Sequence, residues 1–206
     1  MVAYLPEPTG GNFTPAPAGV HRAVCYRLVD LGTQQREYQG QTSHARQVML
    51  SWELADEMME DGKPFVLSKF YTWSTSEKAN LRKDLEAWRG RPFDASDFGP
   101  NGKFRPANLI GAPCLLNVVQ YSKNNGDVGA KIAGIMPLAK GMEKPSAQND
   151  TMFFSLDEYK PAQMEHLSEK IRAMIQLSPE YAKAVGRLTG REANEPPPHD
   201  DSDIPF

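Results

Sequence analysis

Apolar and polar positions alternate strictly over residues 46–54 (RQVMLSWEL), with Val48, Leu50, Trp52 and Leu54 on one face and Gln47, Met49, Ser51 and Glu53 on the other. A period of two marks a strand buried on one side, and it places Trp52 in a core. Upstream, residues 20–31 (VHRAVCYRLVDL) read as a first strand that Gly32-Thr33-Gln34-Gln35 breaks, followed by a polar excursion to Ser43. Downstream, the turn Asp61-Gly62-Lys63-Pro64 leads into a third strand, residues 65–73 (FVLSKFYTW), rich in aromatic and β-branched residues. Its alternation separates Lys69, Tyr71 and Trp73 from Val66, Ser68, Phe70 and Thr72. The first set suits a ligand-facing surface and the second an interior, although Phe65 and Leu67 fall with the first.

The period then changes. Leu81, Leu85 and Trp88 form one helical stripe, Ser74 with Glu77 three residues later reads as a capping box, and Gly90 and Pro92 end the helix. Residues 114–120 (CLLNVVQ) and 131–138 (KIAGIMPL) read as strands four and five around a hairpin loop at 121–129. The order β-β-β-α-β-β predicts a mainly β protein, a five-stranded OB-fold Greek-key barrel with a helix between strands three and four. Another small α+β sheet also fits that order. The expected organisation is a flexible Pro/Gly-rich arm at 1–18, the barrel at 19–138, a linker at 139–160, a helical element at 161–190 and a disordered acidic tail at 191–206. The helices are expected at 161–177 and 179–188. Their stripe of Met164, Leu167, Ile171, Met174 and Ile175 either packs on the barrel or joins copies into a homo-oligomer.

Composition sharpens this picture. The net charge of −3 is unevenly spread: residues 191–206 hold one arginine against five acids, a net −4, which leaves +1 on residues 1–190. A near-neutral body with local basic clusters is compatible with a polyanionic partner. Nothing approaches a membrane span, and no basic start followed by an apolar segment suggests secretion. Cys25 and Cys114 both sit in apolar strand patterns and read as buried reduced thiols of a cytoplasmic protein, with a disulfide or metal site as the alternative.

Catalytic signatures are missing. The sequence has no phosphate-binding glycine loop, no Cys-x-x-Cys and no His-x-x-x-His, and His21, His44, His166 and His199 are scattered. Asp56, Glu57, Glu60 and Asp61 cluster, as a two-metal nuclease would need, but they straddle a strand end and a turn and read as solvated. The expectation is a binding protein with no active site, metal or cofactor.

Sequence-tolerant binding of single strands needs cations along the phosphates and flat side chains under the bases. Strand one and its loop supply Arg22, Tyr26, Arg36 and Tyr38; Arg46 enters strand two; Lys69, Tyr71 and Trp73 lie on strand three; Tyr121, Lys123 and Lys131 belong to the last hairpin. These positions flank the groove that an OB-fold uses.

Two segments resemble known families. The terminal Asp200-Asp201-Ser202-Asp203-Ile204-Pro205-Phe206 resembles the acidic tip of bacterial single-stranded DNA-binding proteins and follows a proline-rich stretch, Pro196-Pro197-Pro198. The resemblance implies a docking tip for replication and recombination proteins: Phe206 enters an apolar pocket, Ile204 and Pro205 extend the contact, and Asp200, Asp201 and Asp203 steer the approach. Across residues 19–138, Asp30-Leu31-Gly32-Thr33-Gln34, Asp61-Gly62-Lys63-Pro64 and the pattern from Leu81-Arg82-Lys83 through Trp88-Arg89-Gly90-Arg91 to Phe93 are similar to replication-module proteins of tailed bacteriophages. That resemblance implies an OB-fold protein coating single-stranded DNA in the cytoplasm of a bacterial host. The bacterial core pattern does not extend beyond the tip, so their homotetramer does not carry over. The competing reading is an adaptor that uses the barrel for protein contacts and the tip to capture host replication proteins, without binding DNA.

Overall fold

The first strand, β1, spans Gly19–Tyr38 and runs well past the expected break. The chain makes a bulge rather than an end: the register with the second strand shifts between Asp30 and Gly32, Gly32 adopts a φ of 68°, and pairing resumes from Gly32↔Gln47 to Tyr38↔Gln41. The polar excursion is therefore the tip of a two-stranded ribbon. It carries no alternation because neither of its faces packs on an apolar core: residues 41–44 are exposed, and Thr33 and Gln34 meet the C-terminal helices through hydrogen bonds, whereas alternation reports one-sided apolar burial.

The computed structural model describes residues 14–38, 40–99 and 101–190, with the backbone alone at Tyr38. The fold is mainly β. After β1 come β2 (Gln41–Met58), β3 (Pro64–Thr72), β4 (Pro113–Ser122), β5 (Val128–Met136) and β6 (Met152–Phe154), with helices α1 (Asn80–Arg89), α2 (Pro161–Glu165), α3 (Glu169–Gln176) and α4 (Pro179–Thr189). The strand order is β3-β2-β1-β4-β5, antiparallel throughout, while β6 adds to β1 in parallel. The ladder is open among the described residues, although its two end strands, β3 and β5, run close beside each other.

Three expectations change. The helix after β3 starts at Asn80, and its N-cap Ala79 makes no side-chain cap, so the Ser74–Glu77 capping box does not form; Ser74 Oγ instead accepts from the Ser76 amide at 3.2 Å. The stretch expected as a linker contributes β6. The single helix expected over 161–177 is two short ones, α2 and α3, separated at 166–168.

Two cores form on opposite faces of β1 and β2. The inner one gathers Leu28, Val48, Leu50, Trp52, Leu67, Leu85, Trp88 and Leu116 under α1. Trp52 is fully buried, as expected, and packs on Trp88 with ring centroids 5.7 Å apart; the Trp88 indole N–H donates to the Pro113 carbonyl at 2.9 Å. Cys25 and Cys114 are buried free thiols in this core, and burial pushes the Cys25 thiol up to about 12. The outer core sets Val29, Leu31 and Met49 against Met152, Phe154, Leu156, Leu167, Ile171 and Ile175, so the C-terminal helices pack on the sheet. Among the described residues, no helix is long and apolar enough to cross a membrane.

Candidate functional site

The C-terminal segment decides which sheet surface is available. Glu53 points outward from β2 yet is buried, because its carboxylate accepts the backbone N–H groups of Gln148 and Asn149 and the Asn149 side-chain amide at 2.6 Å. Asp30, also fully buried, accepts from the Gly32 and Leu156 amides at 3.0 and 3.1 Å and pairs with Arg46. Buried carboxylates persist only when several donors meet them, and these two tie the returning chain across the outer faces of β1 and β2. On the outward side of β3, Val66 and Phe70 stay exposed among the described residues.

On β3 the face assignment is reversed from expectation. Phe65, Leu67 and Tyr71 point into the inner core, and Val66 and Phe70 point out, 42% and 46% exposed. The cause is register: Tyr71 pairs with Val48 and Leu67 with Trp52, and both partners face the core. Phe70 pairs with Met49, which the C-terminal element covers. The sequence held the signal, since Phe65 and Leu67 share the face of Tyr71 and are more apolar than the alternative set.

The expected site residues therefore divide. Tyr71 is a core residue whose hydroxyl donates to Asp84 at 2.8 Å; burial, then the Asp84 charge, drives its pKa far up. Lys69 pairs with the same carboxylate at 2.6 Å. Tyr26 is buried with the Arg27 guanidinium over its ring. Arg46 is held by Asp30 and by Asp157 at 3.0 Å, and lies 5.6 Å from the Trp73 ring centroid. Arg22 donates to Asp56 at 2.8 Å and to the Glu143 carbonyl at 3.2 Å. The hydrogen bond from Arg22, opposed by burial, holds the Asp56 carboxyl below its usual range. These residues join elements together, and the strand assignments that nominated them had no view of their partners.

A second group faces solvent. Tyr121 is 43% exposed; its ring lies over Gly129, its partner on β5, where a Cβ would collide with it. The Lys131 ammonium sits 5.5 Å from the Tyr121 ring centroid, and Lys123 belongs to the same hairpin. Arg36 donates to Thr72 Oγ1 at 2.9 Å, one pleat along β3 from Phe70. Val66 and Ser68 on β3 and Ala130 on β5 line a common surface depression with Phe65 and Leu67, at the seam where the two end strands run beside each other; Ala130 itself packs toward the inner core. Glu60 and Asp61 mark the acidic end of that depression, with Asp61 paired to Lys63 at 3.1 Å. Val128 and Met136 on β5 are exposed too.

Tyr38 ends β1, and Trp73 follows β3 partly buried against the inner core. Asp200, Asp201, Asp203, Ile204, Pro205 and Phe206 lie outside the described residues. His21 is locally bonded, through Pro17 O at 3.0 Å and Glu57 at 3.3 Å. No cluster of three or more His, Cys, Asp or Glu with metal-binding geometry occurs among the described residues. No protein-family model matches the chain, and no curated protein matches it.

Proposed function

We propose that this chain is a single-stranded DNA-binding protein, and that DNA crosses the uncovered flank formed by the outward sides of β3, β5 and β4. The observation that carries the reading is the outward pair of aromatics on that flank, Phe70 and Tyr121, with Lys131 beside the Tyr121 ring and Arg36 bonded to Thr72 two residues along the strand from Phe70. Bases stack on such rings whatever their sequence, and the cations meet the phosphates between them. The strand order, with α1 between β3 and β4 and with β3 lying beside β5, supports an OB-type barrel in which side-chain packing closes the gap left in the ladder. The tip at 200–206 would recruit replication or recombination proteins in the cytoplasm of a bacterial host, as its resemblance implies.

Fluorescence anisotropy of a labelled oligo-dT at two salt concentrations tests the reading. Binding should weaken steeply with salt, because neutralised phosphates release counterions. No binding at low salt sinks it. One observation favours the adaptor reading: the outer faces of β1 and β2, part of the surface an OB-fold offers to oligonucleotides, are occupied by the chain itself. The same titration separates the two, since an adaptor gives no anisotropy change with any oligonucleotide.

A further inference from the structure

The register of β1 against β2 shifts a first time between Cys25 and Arg27, so Tyr26 is the extra residue of a bulge. Bulges re-aim side chains that plain alternation would place elsewhere. Tyr26 belongs to neither core; it is buried with the Arg27 guanidinium 5.2 Å from its ring centroid. Arg27 pairs with Ser51 and Ser51 with Ser68, so the three form one row across β1, β2 and β3. Ser51 alternates with the core residues Leu50 and Trp52, which puts the row on the outer face. The exposed Val66 and Phe70 flank its β3 end.

Arg27 differs from the arginines that charge alone picks out. Arg22 is held by Asp56, and Arg46 by Asp30 and Asp157. Among the described residues, no acid lies at ion-pair distance from Arg27, and its Nε is buried with no hydrogen-bond partner. The acids on adjoining segments are otherwise placed. Glu53, two residues along β2 from Ser51, is taken up by Gln148 and Asn149; Asp150, two residues before the β6 partner Met152, is exposed. Burial pushes the Tyr26 hydroxyl up, and the Arg27 charge opposes this more than the Glu53 charge adds to it. The local field is therefore positive, and a buried donor on a cation is costly until an anionic acceptor meets it.

The serines add a second donor. Their Oγ atoms lie 2.7 Å apart; Ser51 is buried and Ser68 exposed. The arrangement that satisfies the buried hydroxyl has Ser51 donate to Ser68, which leaves the Ser68 O–H for an acceptor outside.

We propose that Arg27 and the Ser68 hydroxyl form a phosphate site, and that the phosphate belongs to the single strand whose bases stack on Phe70. The identity of that strand rests on the DNA-binding reading. The site carries its path from β3 across β2 to the margin of the covered half of the sheet.

The test titrates oligo-dT with the full chain by fluorescence anisotropy over a range of salt. Arg27→Met keeps a flexible stem beside Tyr26 and removes the charge together with the unpaired donor. Affinity at low salt should fall roughly tenfold, as loss of a charged hydrogen bond does. The slope of log affinity against log salt should become shallower by about 0.7, the share of one phosphate on a single strand. Arg27→Lys should restore the slope with the charge, yet not the full affinity, because it lacks the planar fork. Ser68→Ala should weaken binding and leave the slope alone. The urea midpoint of Arg27→Met should equal or exceed the native one; a lower midpoint with an unchanged salt slope would assign Arg27 to the fold and overturn the proposal. Native affinity and slope in Arg27→Met would overturn it too, and leave the DNA-binding reading standing. If the native chain itself binds no oligo-dT, that reading has failed, and inorganic phosphate decides the site alone. At fixed ionic strength, phosphate in place of chloride should then raise the thermal midpoint of the native chain and not that of Arg27→Met, which would make free phosphate the ligand; an equal response in the two overturns the site.

Discussion

The outer surface of the sheet has two halves that differ in what later parts of the chain do to them. On β1 and β2 the outward apolar residues Val29, Leu31 and Met49 are at most 6% exposed, because β6 and the C-terminal helices lie over them. On β3 the outward Val66 and Phe70 are 42% and 46% exposed. The residue types are alike, and Met49 and Phe70 are even paired across neighbouring strands. The difference teaches that an outward apolar residue is structural where the chain returns to cover it and available for a partner where the chain does not.

The largest expected effect tests the covered half. Phe154 is fully buried between β1 and the C-terminal helices, and Phe154→Ala should cost about 3–5 kcal/mol of stability in urea denaturation. Phe70→Ala should change stability by less than about 0.5 kcal/mol, as exposed substitutions usually do. Equal losses at the two sites would end the contrast.

The open half should reverse the order when the readout is binding. Phe70→Ala and Tyr121→Ala should each weaken oligo-dT binding by about 1–3 kcal/mol, roughly 5- to 150-fold, with urea midpoints unchanged. Tyr71→Phe serves as the control. It removes only the hydroxyl that donates to Asp84, so it should leave DNA affinity unchanged. If Tyr71→Phe weakens binding as much as Phe70→Ala does, the face assigned to DNA is the wrong one.

An intermediate effect sits at the boundary. Glu53→Ala leaves the amides of Gln148 and Asn149 without their acceptor, a loss of about 1–3 kcal/mol. Hydrogen exchange should speed up at those amides and in β6 before it does in β3. Uniform acceleration across the sheet would mean that the two halves do not open separately.

Much of this fold was legible in the sequence because one-sided burial writes itself as alternation. The alternation over residues 46–54 located β2 and placed Trp52 in the core, and the stripe Leu81, Leu85, Trp88 located α1 with its end at Gly90. The ribbon at 33–46 was not legible, since its contacts are polar and it packs no face on an apolar core. Nor was β6, whose three residues are too short to show a period. Within the candidate site, Tyr121 and Lys131 were found because a hairpin loop announces itself through turn residues. Arg22, Arg46 and Lys69 were chosen for their charge, yet each is engaged by an acid distant in sequence, Asp56, Asp30 and Asp84. Composition shows that a cation is present; only tertiary structure shows what already holds it. Phe70 was assigned inward because alternation gives two faces without saying which is which, and the cross-strand register with β2 settled the choice.

The smallest expected effect sharpens the comparison through pH. Glu180, in the first turn of α4, accepts from the Thr33 amide at 2.7 Å and from the Thr33 hydroxyl at 2.6 Å, fastening the C-terminal element to the bulge in β1. Burial opposes its ionisation, but these hydrogen bonds outweigh it and hold the carboxyl below its ordinary range. A folded-state pKa below the unfolded value stabilises the fold above the unfolded carboxylate range, near about 4.3, and that contribution is lost as pH falls through the folded value. Glu180→Gln should therefore cost under about 1.5 kcal/mol at neutral pH, and the gap between native and variant urea midpoints should shrink below about pH 4. Other carboxylates, Asp56 among them, titrate in both proteins and cancel from that difference. The matching gap for Phe70→Ala should stay flat over the same range, because the exposed phenyl ring carries no titrating group. A Glu180→Gln gap that is equally flat would show that the hold on the covered half is packing alone, with no electrostatic part.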